Sequence, residues 1–130
     1  MLLLRTSMWR LMTRSALSLN IGRRYTAEQV QQRAWDHAVT YVFGLSDGSV
    51  IDGGEGGNAT RYINHSCAPN CAAYEVEDAN GVLSVEIEAL TRIGLGVELF
   101  LDYSLDVAEP NAAEYACSCG AESCRGTLTA

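Results

Sequence analysis

Arg61–Cys71 reads RYINHSCAPNC. This stretch decides the fold, because it sets Asn64, His65 and Ser66 directly before Cys67 and reaches a second thiol, Cys71, four residues later. Each of these side chains can serve as ligand, donor or nucleophile. Neither thiol has an obvious disulfide partner nearby, so its role depends on what the rest of the chain supplies.

The chain has five cysteines, an odd number that argues against a closed disulfide framework. Three of them, Cys117, Cys119 and Cys124, crowd into CSCGAESC, a C-x-C-x4-C spacing. A structural zinc site wants four soft ligands in a closed tetrahedron, so this cluster is one ligand short. Cys67 and Cys71 are the remaining sources of the fourth. A metal joining that tail to the quoted loop would order a segment too short to fold alone, in a reducing compartment. The rival reading is a set of free thiols.

With 130 residues, 48 % of them apolar, the chain is expected to form one domain with a real core. Its charge is lopsided. All nine basic residues are arginine, and five of them precede Tyr25. Residues 25–130 hold four arginines against all sixteen acids, a balance of −12. That field disfavours nucleic acid and favours a basic protein or peptide partner, unless the acidity serves solubility alone.

Residues 1–20 stand apart, acid-free with arginine interspersed among Leu, Met and Ser. No window is long and apolar enough for a membrane span, and the charge is not gathered as in a secretory signal. A mitochondrial transit peptide fits; a divergent start is preferred. The expected division is therefore 1–20 as an atypical N-terminal segment, 21–109 as the main domain and 110–130 as the zinc segment.

Further on, TAEQVQQRAWDHA predicts a helix of two to three turns, with Thr26 and Gln29 at capping-box spacing and Val30 and Ala34 on one face. VTYVFGL reads as a buried strand, turned through Asp47-Gly48 into VID as a hairpin. GGEGGN lacks the Lys-Ser/Thr of a phosphate loop and reads as plain flexible loop. AAYEVED and VLSVEIEAL flank ANG, and Val85, Ile87 and Ala89 alternate with Ser84, Glu86 and Glu88, the pattern of a half-buried antiparallel strand. GLGVELFLDYSLDV holds a last strand ending in Asp102-Tyr103. The class is mainly β, with small sheets and one short helix.

With these motifs in view, RYINHSCAPNC resembles the central signature of SET-domain protein lysine methyltransferases. ELFLDYS is similar to their Glu-Leu-x-x-Asp-Tyr motif, and CSCGAESCRG to their post-SET zinc motif. The resemblance spans about Ile21 to Leu128. It implies a β-clip of small sheets with a pseudoknot, binding S-adenosylmethionine and zinc. It makes Cys67 the fourth zinc ligand beside Cys117, Cys119 and Cys124, and leaves Cys71 a free structural thiol. It places Asn64, His65, Arg61 and Leu128 at the cofactor and makes Tyr103 and Tyr41 catalytic, with Tyr41 lining the cofactor and lysine channel. By the residues alone, Tyr41 also reads as strand core, and His65 also reads as a base for Cys67. An extended chain is expected to turn His65 and Cys67 apart, which argues against that pair.

The implied reaction is methyl transfer to a lysine of a basic, histone-like or ribosomal-protein-like substrate. A lysine amine titrates near about 10.4 and attacks only when neutral, so a narrow apolar channel that disfavours the ammonium would help. Departures from the family pattern are expected to matter. Residues 1–20 lack its Gly-x-Gly cofactor turn, Leu101 replaces an aromatic residue linked to how many methyls are added, and no aromatic residue lies near Thr127. The rival function is a degenerate zinc-binding module that holds Lys-rich peptides without catalysis. The expected compartment is the cytosol, with nucleus or mitochondrion as alternatives, and no membrane association.

Overall fold

The computed structural model describes residues 16–35, 41–106 and 114–130. In chain order its strands are β1 (Ala16–Asn20), β2 (Arg23–Tyr25), β3 (Val42–Gly44), β4 (Val50–Asp52), β5 (Asn64–His65), β6 (Cys71–Glu77), β7 (Leu83–Ala89) and β8 (Phe100–Leu101). One α-helix, α1 (Ala27–Gln32), follows β2, and a 3-10 turn over Ala59–Tyr62 precedes β5. The strands form three small sheets, ordered β1-β7-β6, β2-β4-β3 and β5-β8. Among the described residues, the mainly β class with one short helix is thus observed.

The Asp47-Gly48 hairpin forms as its residues dictate. Asp47 accepts the Ser49 N–H at 2.9 Å, and Gly48 takes φ +82°, a left-handed conformation that glycine adopts without strain. β4 then runs between β2 and β3, with Val50, Ile51 and Asp52 all buried. Central position on both edges and both faces explains its unbroken apolar start.

β6 and β7 pair in register over seven residues, closed where Asp78 accepts the N–H groups of Asn80 (2.8 Å) and Val82 (2.9 Å). Val85 and Ile87 are buried and Ser84, Glu86 and Glu88 half-exposed, so the alternation holds. The main core joins this face to the second sheet through Phe43, Leu45, Ile51, Cys71, Val85, Ile87 and Leu101. Cys71 lies inside that core, and burial raises its thiol above the ordinary range.

Four expectations need adjusting. β1 pairs with β7 from Ala16 onward, so the compositional break at Asn20 does not coincide with a structural one. The capping box of Thr26 and Gln29 is made in both directions, yet α1 ends at Gln32 and leaves Ala34 outside. Arg33 takes an extended backbone there, and its guanidinium lies 4.5 Å from the Tyr25 ring, 5.0 Å from Trp35 and 2.8 Å from Glu55. Those contacts favour ending the helix over extending it. The glycine loop folds tightly on itself: a Cβ on Gly57 would stand 2.0 Å from the Gly53 carbonyl oxygen. Finally, the last strand stops at Leu101, with Asp102 and Tyr103 just beyond it. Residues 36–40 of the helix and strand readings lie outside the described residues.

β5 and β8 pair in parallel, Asn64 opposite Phe100 and His65 opposite Leu101. Two residues per strand give little stability of their own. Asn70 reinforces the pair: its side chain accepts the Phe100 N–H and donates to the Glu98 carbonyl, each at 2.8 Å. This short pairing positions everything that follows.

Candidate active site and metal centre

Beyond β5, the chain turns so that Cys67 faces the C-terminal segment. The sulfurs of Cys67, Cys117, Cys119 and Cys124 all lie within 4.8 Å of one another. Zinc bonds to thiolate of about 2.3 Å imply tetrahedral S···S edges of about 3.8 Å. The Cys67–Cys117 and Cys117–Cys124 sulfur pairs stand at 3.8 Å, matching that edge and far outside disulfide length. Cys71 does not join them. Backbone N–H groups point at the sulfurs: Cys67 to Cys119 (3.5 Å), Arg125 to Cys67 (3.4 Å) and Gly126 to Cys124 (3.5 Å). Such donors stabilise thiolates and orient metal ligands. Burial, with the neighbouring sulfurs, pushes Cys117 up to about 12, whereas N–H donation from Cys67 and Ala121 brings Cys119 down to about 6. Four sulfurs this close become anionic together only around a cation, and the donor set suits zinc.

Tyr103 sits beside this cluster. Its phenol is partly buried and donates to the Ile63 carbonyl at 2.6 Å. Burial, then the neighbouring Tyr41 phenol, raises its pKa, so at neutral pH it is a protonated hydroxyl. Ser104 follows at φ +42°, a left-handed turn braced by its N–H on Asp102 at 3.1 Å. The turn delivers Leu105 to the tail, where its N–H donates to the Leu128 carbonyl at 2.9 Å. The C-terminal segment and the turn that follows Tyr103 are therefore directly bonded.

His65 corrects the reading of its own strand. The Tyr103 N–H donates to its Nδ1 at 3.0 Å, and Nε2 lies 3.4 Å from the Cys67 sulfur. Residues two apart in an extended chain share a face, so the expected divergence of His65 and Cys67 does not hold. The pair is still no base–nucleophile dyad, because this sulfur belongs to the four-thiol cluster. Burial lowers the imidazole pKa, outweighing the opposite pull of Asp102.

The other expected positions each have contacts of their own. Asn64 is exposed, and its amide donates to Glu98 at 2.9 Å. Arg61 donates to the Gly57 carbonyl at 3.3 Å and lies 4.5 Å from the Tyr62 ring, which in turn meets Tyr41 edge-on at 6.1 Å. Tyr41 is only half-buried, outside the core clusters. Leu128 is held by its N–H on the Tyr115 carbonyl at 2.8 Å. Sequence reasoning passed over Asn70, Glu98, Asp102 and Arg125. Their signal was position: each lies inside a quoted motif, and two carry opposite charges in motifs that the fold brings together.

The SET domain family profile matches residues 10–104, and the chain belongs to the SET domain family. It is 42 % identical over 88 residues to histone-lysine N-methyltransferase 2B of Homo sapiens, covering 68 % of this chain and 3 % of that protein. It is 37 % identical over 99 residues to histone-lysine N-methyltransferase NSD3 of Mus musculus, covering 75 % of this chain and 7 % of that one. The chain thus spans a small fraction of the relatives it matches. Among solved structures, Arabidopsis thaliana SUVH6 in complex with SAM superposes with a TM-score of 0.68 at 26 % identity, over 88 % of this chain and 28 % of its own. KRYPTONITE in complex with mCHG DNA and SAH superposes with a TM-score of 0.68 at 29 % identity, over 88 % and 24 %. The family match starts at residue 10, ahead of Ile21. Among the described residues, no helix is long and apolar enough to cross a membrane.

Proposed function

We propose that the chain is a protein-lysine N-methyltransferase that takes its methyl group from S-adenosylmethionine. The observation that carries this reading is the β5–β8 pairing, which sets the Tyr103 phenol against Ile63, next to Asn64 and His65. Relatives named as histone-lysine methyltransferases and a fold neighbour crystallised with SAM support it. Asn64, His65, Arg61 and Leu128 would hold the cofactor, which supplies an electrophilic sulfonium methyl. Tyr103 would orient the lysine amine: its proton is committed to Ile63, leaving oxygen lone pairs to accept an amine N–H. Tyr41 and Tyr62 would wall the lysine stem and tolerate a methylated cation on their faces. Alignment supplies most of the remaining rate.

The substrate would be a lysine in a basic protein, histone-like or ribosomal-protein-like, drawn by the −12 balance of residues 25–130. The same field disfavours direct nucleic-acid binding. Reduced thiols suit the cytosol, with the nucleus or mitochondrion as alternatives. The four-thiol cluster would hold zinc and anchor the tail.

The test is radiolabelled methyl transfer to histones and ribosomal proteins by the zinc-loaded chain. Transfer confined to lysine is the expected result. A chain that binds Lys-rich peptides yet transfers nothing would be the degenerate module.

A further inference from the structure

His65 has a job that cofactor contact does not explain. Its side chain is only 4 % exposed, and both ring nitrogens are engaged by protein. The Tyr103 backbone N–H can only donate, so Nδ1 at 3.0 Å must be the acceptor. A neutral imidazole with Nδ1 unprotonated carries its proton on Nε2. That proton faces the Cys67 sulfur at 3.4 Å. Asp102, whose Oδ1 stands 3.8 Å from Nδ1, is too far to compete for a hydrogen bond there. The ring also meets the Tyr103 ring edge-on, with centroids 5.3 Å apart. One side chain thus bridges a ligand sulfur to the backbone and ring of the proposed catalytic tyrosine.

We infer that His65 is a positioning residue, whose two ring nitrogens tie the four-sulfur centre to Tyr103 so that metal binding orders that tyrosine. Metal-bound sulfur is a fixed acceptor for Nε2–H, which fixes the ring plane and so the direction of the Nδ1 lone pair. Tyr103 then takes its backbone position from the ring. The inference deepens the methyl-transfer reading, since its kinetic consequence rests on Tyr103 serving that reaction. Its structural part does not.

Two near-isosteres split the bridge. In His65→Asn, the amide oxygen can replace Nδ1 as acceptor, but nothing reaches the sulfur. In His65→Gln, the amide nitrogen can replace Nε2 as donor, but nothing accepts the Tyr103 N–H. His65→Asn should therefore lose metal affinity by about 10- to 100-fold, as second-layer partners of metal ligands do. His65→Gln should keep the metal and lower kcat about 10-fold, with KM for the peptide little changed. A spectroscopic arm needs no catalysis. In the zinc-loaded full chain with isotope-labelled histidine, His65 should show the Nε2-protonated tautomer. Exchanging zinc for cadmium should shift the Tyr103 amide resonance in wild type, and shift it much less in either variant. The inference is overturned by an Nδ1-protonated tautomer, by an equal Tyr103 shift in all three proteins, or by variants with matching losses of metal and kcat. If no protein transfers methyl groups, the metal and resonance measurements still decide the bridge, while the methyl-transfer reading fails alone.

Discussion

Arg125 grips Asp102 with both guanidinium branches, Nη1 to Oδ2 at 2.7 Å and Nη2 to Oδ1 at 2.9 Å. The same residue's backbone N–H donates to the Cys67 sulfur, and Nη2 also donates to the Thr129 carbonyl at 3.3 Å. A planar fork suits this geometry and a point-charge ammonium does not. The Arg125 and Asp102 side chains are about one third exposed, which limits the gain. Arg125→Ala should lower stability by about 1 kcal/mol at saturating zinc, and Arg125→Lys should recover little of it. Denaturant midpoints measured with metal in excess would check both.

Metal content discriminates between the two mid-chain thiols. Purified protein should carry one zinc per chain, lost in Cys67→Ser and retained in Cys71→Ser. Cys71→Ser places a hydroxyl in the core and should cost about 1–3 kcal/mol without releasing metal. Equal zinc loss in both variants would defeat the assignment of Cys67.

Tyr103→Phe removes one hydroxyl and the bond to Ile63. Methyl transfer should fall on the order of 100-fold, by analogy with loss of one preorganised hydrogen-bonding group. Zinc content should stay the same, and stability should fall by about 1 kcal/mol. Undiminished transfer would take Tyr103 out of the catalytic role.

The raised pKa of Tyr103 gives an alkaline signature. Between the ordinary tyrosine value of about 10 and its higher folded value, the folded chain keeps a proton that the unfolded chain has released. The stability contributed by this group is therefore full below about pH 10 and is lost as pH rises through the folded value. Over that window Tyr103→Phe should show a flatter decline of denaturant midpoint with pH than wild type. Parallel curves would contradict the shift.

Asn70 is expected to matter as much as the residues it serves. Asn70→Ala leaves the Phe100 N–H and the Glu98 carbonyl without their partner and should cost about 2 kcal/mol. Amide exchange should speed up at Phe100 and Leu101 in particular. Uniform change across β6 and β7 instead would mean that Asn70 acts on the whole fold.

What the sequence disclosed follows the range of the interactions concerned. Asp47-Gly48 and the Val85/Ile87 alternation act over a few residues, and both read correctly. The cysteine spacing disclosed three of the clustered thiols because those three are neighbours; choosing Cys67 over Cys71 took the family resemblance, and burial of Cys71 in the core agrees with it. β5 and β8 were illegible as a pair, since two residues per strand carry no period and the partners lie far apart in the chain. β1 was hidden for another reason: β7 supplies its hydrogen bonds, whatever its own composition. The ends of α1 and β8 are set by Arg33 and by the left-handed Ser104, which local propensity does not weigh.

The four-sulfur centre also sets a timetable during synthesis. Cys67 and Cys117, the first of its later partners, are separated by 50 positions, which at roughly 5–20 residues per second take a ribosome about 3–10 s to add. Throughout that interval Cys67 has left the peptidyl-transferase centre while its later partners are still untranslated. Cys71 lies four residues away and is not yet sheltered by a completed core. A nascent chain meeting an oxidant in those seconds has a neighbouring thiol to pair with. A reducing environment is therefore needed earlier in the life of the molecule than zinc is.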